Sequence, residues 1–143
     1  MHSHFIDAEL ILSSSYLTYQ HWIGFVGLLN KPEIDDIVKS EKSCLLSSLK
    51  TGKSNDSGVS QARWISNERF VAGTDNGEVI LYKVNKEEPE NMYETVMVKH
   101  EHDSLVLSLA TNLNSHIALS GSSDTRIKVW NLNDELSIRT FKG

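Results

Sequence analysis

The chain has 143 residues, enough to bury a sizeable core, and 39% of them are hydrophobic, which is ordinary for a soluble globular protein. Its formal net charge of -5 argues against a protein that holds nucleic acid mainly by electrostatics, so we expect no direct nucleic-acid partner. The single cysteine, Cys44, allows neither a disulfide framework nor a cysteine-based zinc site. The longest apolar run, residues 22–29, is too short to cross a bilayer as a helix, so we expect no membrane partner.

The first part of the chain, residues 1–57, predicts an incomplete four-stranded unit. Residues 9–14 are typical of a second strand and residues 22–29 of a third strand, but a clear innermost strand is missing. The stretch 15–21 between them is expected to be a long polar connection. Residues 31–43, with Pro32 and many charges, indicate a surface loop, residues 44–50 an outer strand, and residues 54–58 a short linker.

An internal repeat dominates the rest of the chain. Residues 72–84 align with residues 120–132 at a constant offset of 48, which places Gly73 over Gly121 and Tyr82 over Trp130. The period of 48 residues lies just above the range usual for propeller blades, in which four strands make one unit, and each unit shows the period-2 alternation of strands. The predicted strands are 59–65, 69–73, 78–84 and 93–99 in a second unit, residues 58–101, and 104–110, 116–120, 126–131 and 136–141 in a third unit, residues 102–143. No helical period extends over ten residues, so the sequence predicts an all-β protein.

The third unit carries a specific set of polar residues. His102, Ser120, Asp124 and Trp130, followed by Asn131 and Leu132, stand where the repeats of the WD-repeat family place a buried polar network, and the chain resembles that family. The resemblance implies that Asp124 binds His102, His102 binds Ser120, and Ser120 accepts the indole N–H. Such a network satisfies buried polar atoms and fixes one strand register.

The match to the WD repeat is incomplete. Glu101 replaces the usual glycine before the histidine, and Asn131 replaces the usual aspartate after the tryptophan. The second unit has Tyr82 in place of the tryptophan, so its network is expected to be partial.

Two kinds of chemistry compete with this structural interpretation. Ser120, His102 and Asp124 are the residue types of a hydrolase triad, but a triad also needs an exposed nucleophile and an oxyanion hole, and no nucleophile-elbow motif is present. The His2/His4 and His100/His102 pairs could each offer two metal ligands on one strand face, but no third or fourth ligand is indicated. We therefore expect no catalytic residues, no cofactor and no metal.

Several segments resemble one branch of the WD-repeat family, the methylosome subunits that are partners of type II protein arginine methyltransferases. These are residues 10–15, 22–24, 30–32, 58–59 with Trp64, 99–103, 120–124 and 127–132. The resemblance implies a seven-bladed, non-catalytic scaffold that binds the methyltransferase barrel, raises its activity, and helps present histone and spliceosomal protein substrates in cytoplasm and nucleus. The alternative is a WD-repeat adaptor of another assembly, such as a ubiquitin ligase or a chromatin complex.

Trp22 is the candidate partner anchor. It follows the connection 15–21, and its register differs from that of Tyr82 and Trp130, so a position at the loop end of a blade is expected. Large aromatic residues are enriched among the few that dominate binding energy, and in the family resembled the tryptophan in this Trp-x-Gly context inserts into the methyltransferase. Tyr19 and His21 are predicted to support it. About three blades of an expected seven cannot close a ring, so we interpret the sequence as a fragment or an incomplete gene model.

Overall fold

The computed structural model describes the backbone of residues 2–6, 9–18, 21–29, 52–55, 57–85 and 93–143, and the side chains of Gly24, Val26, residues 57–85 and residues 94–143. Within these ranges every regular element is a β-strand, and the strands form three four-stranded antiparallel sheets, each joined in chain order. The first sheet contains β1 (His2–Ile6), β2 (Glu9–Thr18), β3 (His21–Leu29) and β4 (Gly52–Asn55); the second contains β5 (Val59–Ser66), β6 (Arg69–Thr74), β7 (Glu78–Val84) and β8 (Tyr93–His100); the third contains β9 (Val106–Asn112), β10 (Ile117–Ser122), β11 (Arg126–Asn131) and β12 (Leu136–Lys142). The predicted all-β class is confirmed.

The second and third sheets agree with the predicted strands. All eight are present, and no strand end differs by more than two residues from its expected position. The agreement follows from turn chemistry, since residues of turn type separate the strands. In the β6–β7 turn Gly77 has φ 88°, and at the equivalent place in the β10–β11 turn Thr125 has φ 66°. The two turns therefore share a left-handed backbone conformation at this position, which glycine adopts more readily than threonine.

The first sheet differs from the expectation in three ways. An innermost strand is present, because β1 pairs along its whole length with β2, from His2 opposite Ser13 to Ile6 opposite Glu9. The expected long connection 15–21 is mostly strand, since β2 continues to Thr18 and β3 begins at His21. The strand that pairs with β3 is β4, where part of a linker was expected. The predicted loop 31–43 and outer strand 44–50 lie outside the described residues.

One of these differences, the greater length of β2, has a physical cause. Serines follow the apolar run of residues 10–12, although serine is tolerated in a strand whose backbone groups are paired. Pairing with β3 continues to Thr18 opposite His21, so the hairpin extends β2 beyond its apolar part.

The core lies between the sheets. One buried cluster joins the first and second sheets and consists of Val26, Val59, Ala62, Trp64, Phe70, Ala72, Ile80, Tyr82 and Val84. The other joins the second and third sheets and consists of Ile65, Val71, Val79, Leu81, Met97, Val106, Leu109, Ala118, Trp130 and Leu132. The second sheet is therefore covered on both faces, which explains why β6 and β7 are almost uninterrupted apolar runs.

Polar contacts fix how the second and third sheets meet. The backbone N–H of Leu109 donates to Gln61 Oε1 at 2.5 Å, and Thr111 Oγ1 donates to the carbonyl of Trp64 at 2.8 Å. Both contacts link the inner strands β5 and β9. Farther out, Arg69 Nη2 donates to the carbonyl of Leu132 at 2.5 Å. Directional bonds of this kind set the register between sheets, which apolar packing alone would leave looser.

Candidate functional site

The structure brings His102, Ser120, Asp124 and Trp130 into one chain of hydrogen bonds, the His102 network. His102 Nδ1 lies 2.9 Å from Asp124 Oδ2, and His102 Nε2 lies 2.7 Å from Ser120 Oγ. Trp130 Nε1 donates to the same Ser120 Oγ at 2.8 Å. His102, Ser120 and Trp130 are each at most 1% exposed. The network thus connects the segment before β9 with β10, the β10–β11 turn and β11.

Asp124 is the charged end of the His102 network. Its Oδ1 accepts the backbone N–H of Arg126 at 2.9 Å, and its Oδ2 accepts the backbone N–H of Asp103 at 3.0 Å. Burial by itself would raise the pKa of Asp124, but the hydrogen bonds from Arg126, Asp103 and the His102 ring outweigh it and lower the pKa from 3.8 to about 2. Asp124 therefore stays ionised at neutral pH, so the proton of this hydrogen bond lies on His102 Nδ1, whose N–H donates to the carboxylate.

The same geometry determines what the serine can do. With the Nδ1 proton facing Asp124, Nε2 of a neutral His102 accepts a hydrogen bond from the Ser120 hydroxyl. This serine–histidine–aspartate order is that of a hydrolase triad. However, Ser120 is fully buried and its oxygen already accepts the indole N–H of Trp130, so an acyl group has no approach to it. The arrangement fixes the register between neighbouring strands and offers no accessible nucleophile.

In the second sheet, aromatic rings pack where the third sheet has the His102 network. Ala72, Asn76 and Tyr82 occupy the positions of Ser120, Asp124 and Trp130. The Tyr82 ring stacks on Phe70 with centroids 4.9 Å apart, and Phe70 meets Trp64 edge-on at 5.6 Å. At the turn of this sheet, Thr74 Oγ1 donates to Asn76 and accepts the backbone N–H of Glu78.

A second polar cluster, which sequence analysis did not foresee, surrounds Glu101. Glu101 Oε2 accepts hydrogen bonds from Lys128 Nζ at 3.1 Å and from Ser137 Oγ at 2.5 Å. Lys128 is only 8% exposed, and it also donates to Thr140 Oγ1. Burial would raise the pKa of Glu101, but the Ser137 hydrogen bond and the Lys128 charge outweigh it and lower that pKa. The repeat contained a signal for this cluster. Lys128 aligns with the apolar Ile80, so a buried lysine could be expected, and a buried lysine requires a carboxylate partner.

The candidate partner anchor lies at the end of the β2–β3 hairpin. His21 and Trp22 are the first two residues of β3, opposite Thr18 and Leu17 of β2. Tyr19 lies outside the described residues. The backbone places Trp22 at a hairpin end, and its role as an anchor, with Tyr19 and His21 in support, stays a prediction.

Two further searches concern the described part of the chain only. Within it, no group of three or more histidine, cysteine, aspartate and glutamate side chains is arranged to hold a metal ion. Of the His100/His102 pair, His102 has both ring nitrogens engaged by Asp124 and Ser120. The same part contains no helix long and apolar enough to cross a membrane.

The repeat and the fold both match known proteins. The family model of the WD domain, G-beta repeat (WD40), matches residues 93–131, a range that contains the His102 network. The WD40 β-propeller domain of Doa1 superposes on 99% of this chain and 38% of its own with a TM-score of 0.63 at 16% identity. A chain of the mitotic checkpoint complex superposes on 94% of this chain and 34% of its own with a TM-score of 0.58 at 17% identity. The family model thus identifies one WD40 repeat within the chain, and the two superpositions show that the fold is that of a partial WD40 β-propeller.

Two relatives are more similar in sequence. Methylosome protein WDR77 of Xenopus laevis is 27% identical over 135 residues, which is 94% of this chain and 38% of that protein. Zinc finger CCCH domain-containing protein 62 of Arabidopsis thaliana is 27% identical over 141 residues, which is 99% of this chain and 31% of that protein. The chain thus spans about a third of the length of each relative.

Proposed function

We propose that this chain is part of a non-catalytic scaffold that binds and activates a type II protein arginine methyltransferase. The observation that carries the proposal is the 27% identity to Methylosome protein WDR77 over 94% of this chain, together with a propeller fold. The scaffold would help to present histone and spliceosomal protein substrates to the enzyme. It would act where those substrates occur, in cytoplasm and nucleus.

The His102 network supports a role in binding and not in catalysis. Its polar atoms are paired within the fold and buried, so they stabilise one sheet and are unavailable to a substrate. A rigid sheet is a suitable base for hairpin ends, because interaction residues bind best when a packed scaffold holds their backbone in place. The function would then reside in the ends of the hairpins.

Trp22 is the residue we expect to contact the methyltransferase. It is the second residue of β3, next to the β2–β3 hairpin end. A tryptophan at such a site offers a large apolar area with few rotatable bonds, which is typical of residues that dominate an interface. Tyr19 and His21 precede it in the sequence and would complete the contact.

The test uses a longer form of the protein with the propeller complete and a purified type II arginine methyltransferase. Trp22→Ala should weaken binding by about 2 kcal/mol or more, roughly thirtyfold, while the circular dichroism spectrum stays unchanged. The matched control is Leu136→Ala, which removes an exposed apolar side chain (55% exposed) from β12 and should leave the affinity as it was. Affinity measured by calorimetry that is equal for both variants and the parent would contradict the anchor. Failure of the parent itself to bind the methyltransferase, with recovery of ubiquitin-ligase or chromatin subunits instead, would contradict the proposed function.

A further inference from the structure

A cavity of about 400 Å³ lies against the outer strands of the second sheet, on the face that packs toward the first sheet. Its lining includes Glu78, Ile80 and Tyr82 of β7 and Thr95 and Val98 of β8, and we call it the Glu78 cavity. Ligand pockets in proteins have volumes of about 300–1,000 Å³ and combine apolar walls with a few polar groups. The Glu78 cavity has both properties.

The Glu78 cavity is apolar and closed at one end and open at the other. Tyr82 and Ile80 are only 1% and 5% exposed, so the lining is buried along this part of β7. Val98 stands opposite Ile80 on β8 and is 51% exposed, so the cavity opens to solvent at the outer strand. A long side chain can therefore enter over β8 and bury its apolar stem, while its polar end stays near Glu78.

Within the described lining Glu78 is the one charged residue, and its backbone is fixed. Thr74 Oγ1 accepts the N–H of Glu78 at 3.0 Å. The N–H of Asp75 donates to the carbonyl of Gly58 at 2.9 Å, which holds the β6–β7 turn against the segment that contains Ser57, another lining residue. The cavity thus carries a carboxylate on a rigid backbone, with a hydroxyl group in the adjoining wall.

The carboxylate of Glu78 has no positively charged partner among the described residues. The ion pairs there engage Asp124, Asp103 and Glu101. His100 stands opposite Glu78 across β7 and β8, but no ion pair joins the two. A carboxylate beside an apolar cavity favours a cation, because pairing offsets the cost of removing the charge from water.

We propose that the Glu78 cavity binds the side chain of an arginine from a partner peptide. The guanidinium pairs with the Glu78 carboxylate, and the methylene stem lies along Ile80 and Val98, since arginine buries its stem on apolar surface. The planar fork of a guanidinium matches a carboxylate and leaves further N–H donors for the hydroxyls of Ser57 and Thr95. A net charge of -5 favours such a basic partner.

The arginine site goes beyond the proposed function. It lies on the second sheet, away from the β2–β3 hairpin that carries Trp22, and it requires only a peptide with an arginine side chain. Binding of the peptide and binding of the methyltransferase are measured separately. Failure of one proposal therefore leaves the other standing.

The experiment titrates the isotope-labelled full chain with a capped pentapeptide that carries one arginine between glycines. Amide chemical shifts in the NMR spectrum should change at Glu78, Thr95 and Val98. The same peptide with citrulline, which has the shape of arginine without its charge, should bind about tenfold more weakly or worse. The peptide with lysine should also bind more weakly. Equal affinity for arginine and citrulline, or shift changes confined to other strands, would overturn the proposal, and equal affinity for lysine would overturn the assignment to arginine.

Two variants test the site from the side of the protein. Glu78→Gln removes the charge at constant size and should weaken binding of the arginine peptide about tenfold, whereas Glu68→Gln, at an exposed carboxylate of the same sheet, should leave it unchanged. Val98→Trp fills the open end and should block binding, whereas Leu113→Trp, at an exposed leucine of the third sheet, should not. The dispersion of the amide spectrum verifies that each variant is folded. Parent affinity in folded Glu78→Gln or Val98→Trp would overturn the proposal.

Discussion

At the scale of the residue, Trp130 combines two contributions that can be separated. Its ring is fully buried between the second and third sheets, and its Nε1 donates to Ser120. Trp130→Ala should lower the free energy of unfolding by about 3–5 kcal/mol, because it removes a buried aromatic ring and leaves a cavity. Trp130→Phe keeps most of the ring and loses the donor, so it should cost only about 1–2 kcal/mol. Urea denaturation of both variants measures the difference, and equal losses would mean that the hydrogen bond carries the effect.

Asp124 gives the His102 network a dependence on pH. Its pKa is about 2 in the folded chain against an ordinary value of 3.8, so the folded state favours the carboxylate. The resulting stabilisation is fully present above the ordinary value and is lost as the pH falls from about 4 toward 2. We expect the stability difference between the parent and Asp124→Asn to be constant near neutral pH and to shrink across that acidic range. A difference that stays constant down to pH 2 would show that the carboxylate is not stabilised by folding.

At the scale of the element, Glu101 holds the outer strand β12 to β11. Its carboxylate joins Lys128 of β11 and Ser137 of β12, on the face that carries the buried lysine. Glu101→Ala should cost about 1–3 kcal/mol, because it leaves the nearly buried ammonium of Lys128 with a hydrogen bond to Thr140 but without its carboxylate. The double variant Glu101→Ala/Lys128→Met removes both charges and should recover most of the loss. Chemical denaturation of the single and double variants tests the coupling, and additive losses would contradict it.

At the scale of the whole molecule, we expect the directional contacts between the second and third sheets to couple their unfolding. Gln61 of β5 accepts the backbone N–H of Leu109 in β9, and both residues are buried. Gln61→Leu should cost about 1–3 kcal/mol, because it leaves that N–H without an acceptor inside the junction. Hydrogen exchange should speed up at Leu109 and along β9. Ser60→Ala, which removes a bond between neighbouring strands of one sheet, is the control and should leave β9 unaffected.

Much of the second and third sheets follows from the sequence alone. The offset between Gly73 and Gly121, the alternating apolar residues and the turn residues determine the strands, because each of these signals is local. The partners within the His102 network also follow, since the spacing of His102, Ser120, Asp124 and Trp130 repeats a family pattern. Local chemistry and a repeat suffice for features that recur from unit to unit.

Only the tertiary structure decided the features that depend on pairing between distant segments. The first sheet contains β1 because the backbone of β1 pairs with that of β2, although the residues of β1 do not follow a strand pattern. Lys128 is satisfied by Glu101, 27 positions away in sequence, and its environment could not be read from either residue alone. Gly73 and Gly121 occupy equivalent positions of the repeat but have different surroundings. A Cβ on Gly73 would meet Val106 of the third sheet, whereas a Cβ on Gly121 would meet, among the described residues, only Ser108 of its own sheet. The sequence does not reveal this difference, because burial is a property of the assembled sheets and not of a single strand.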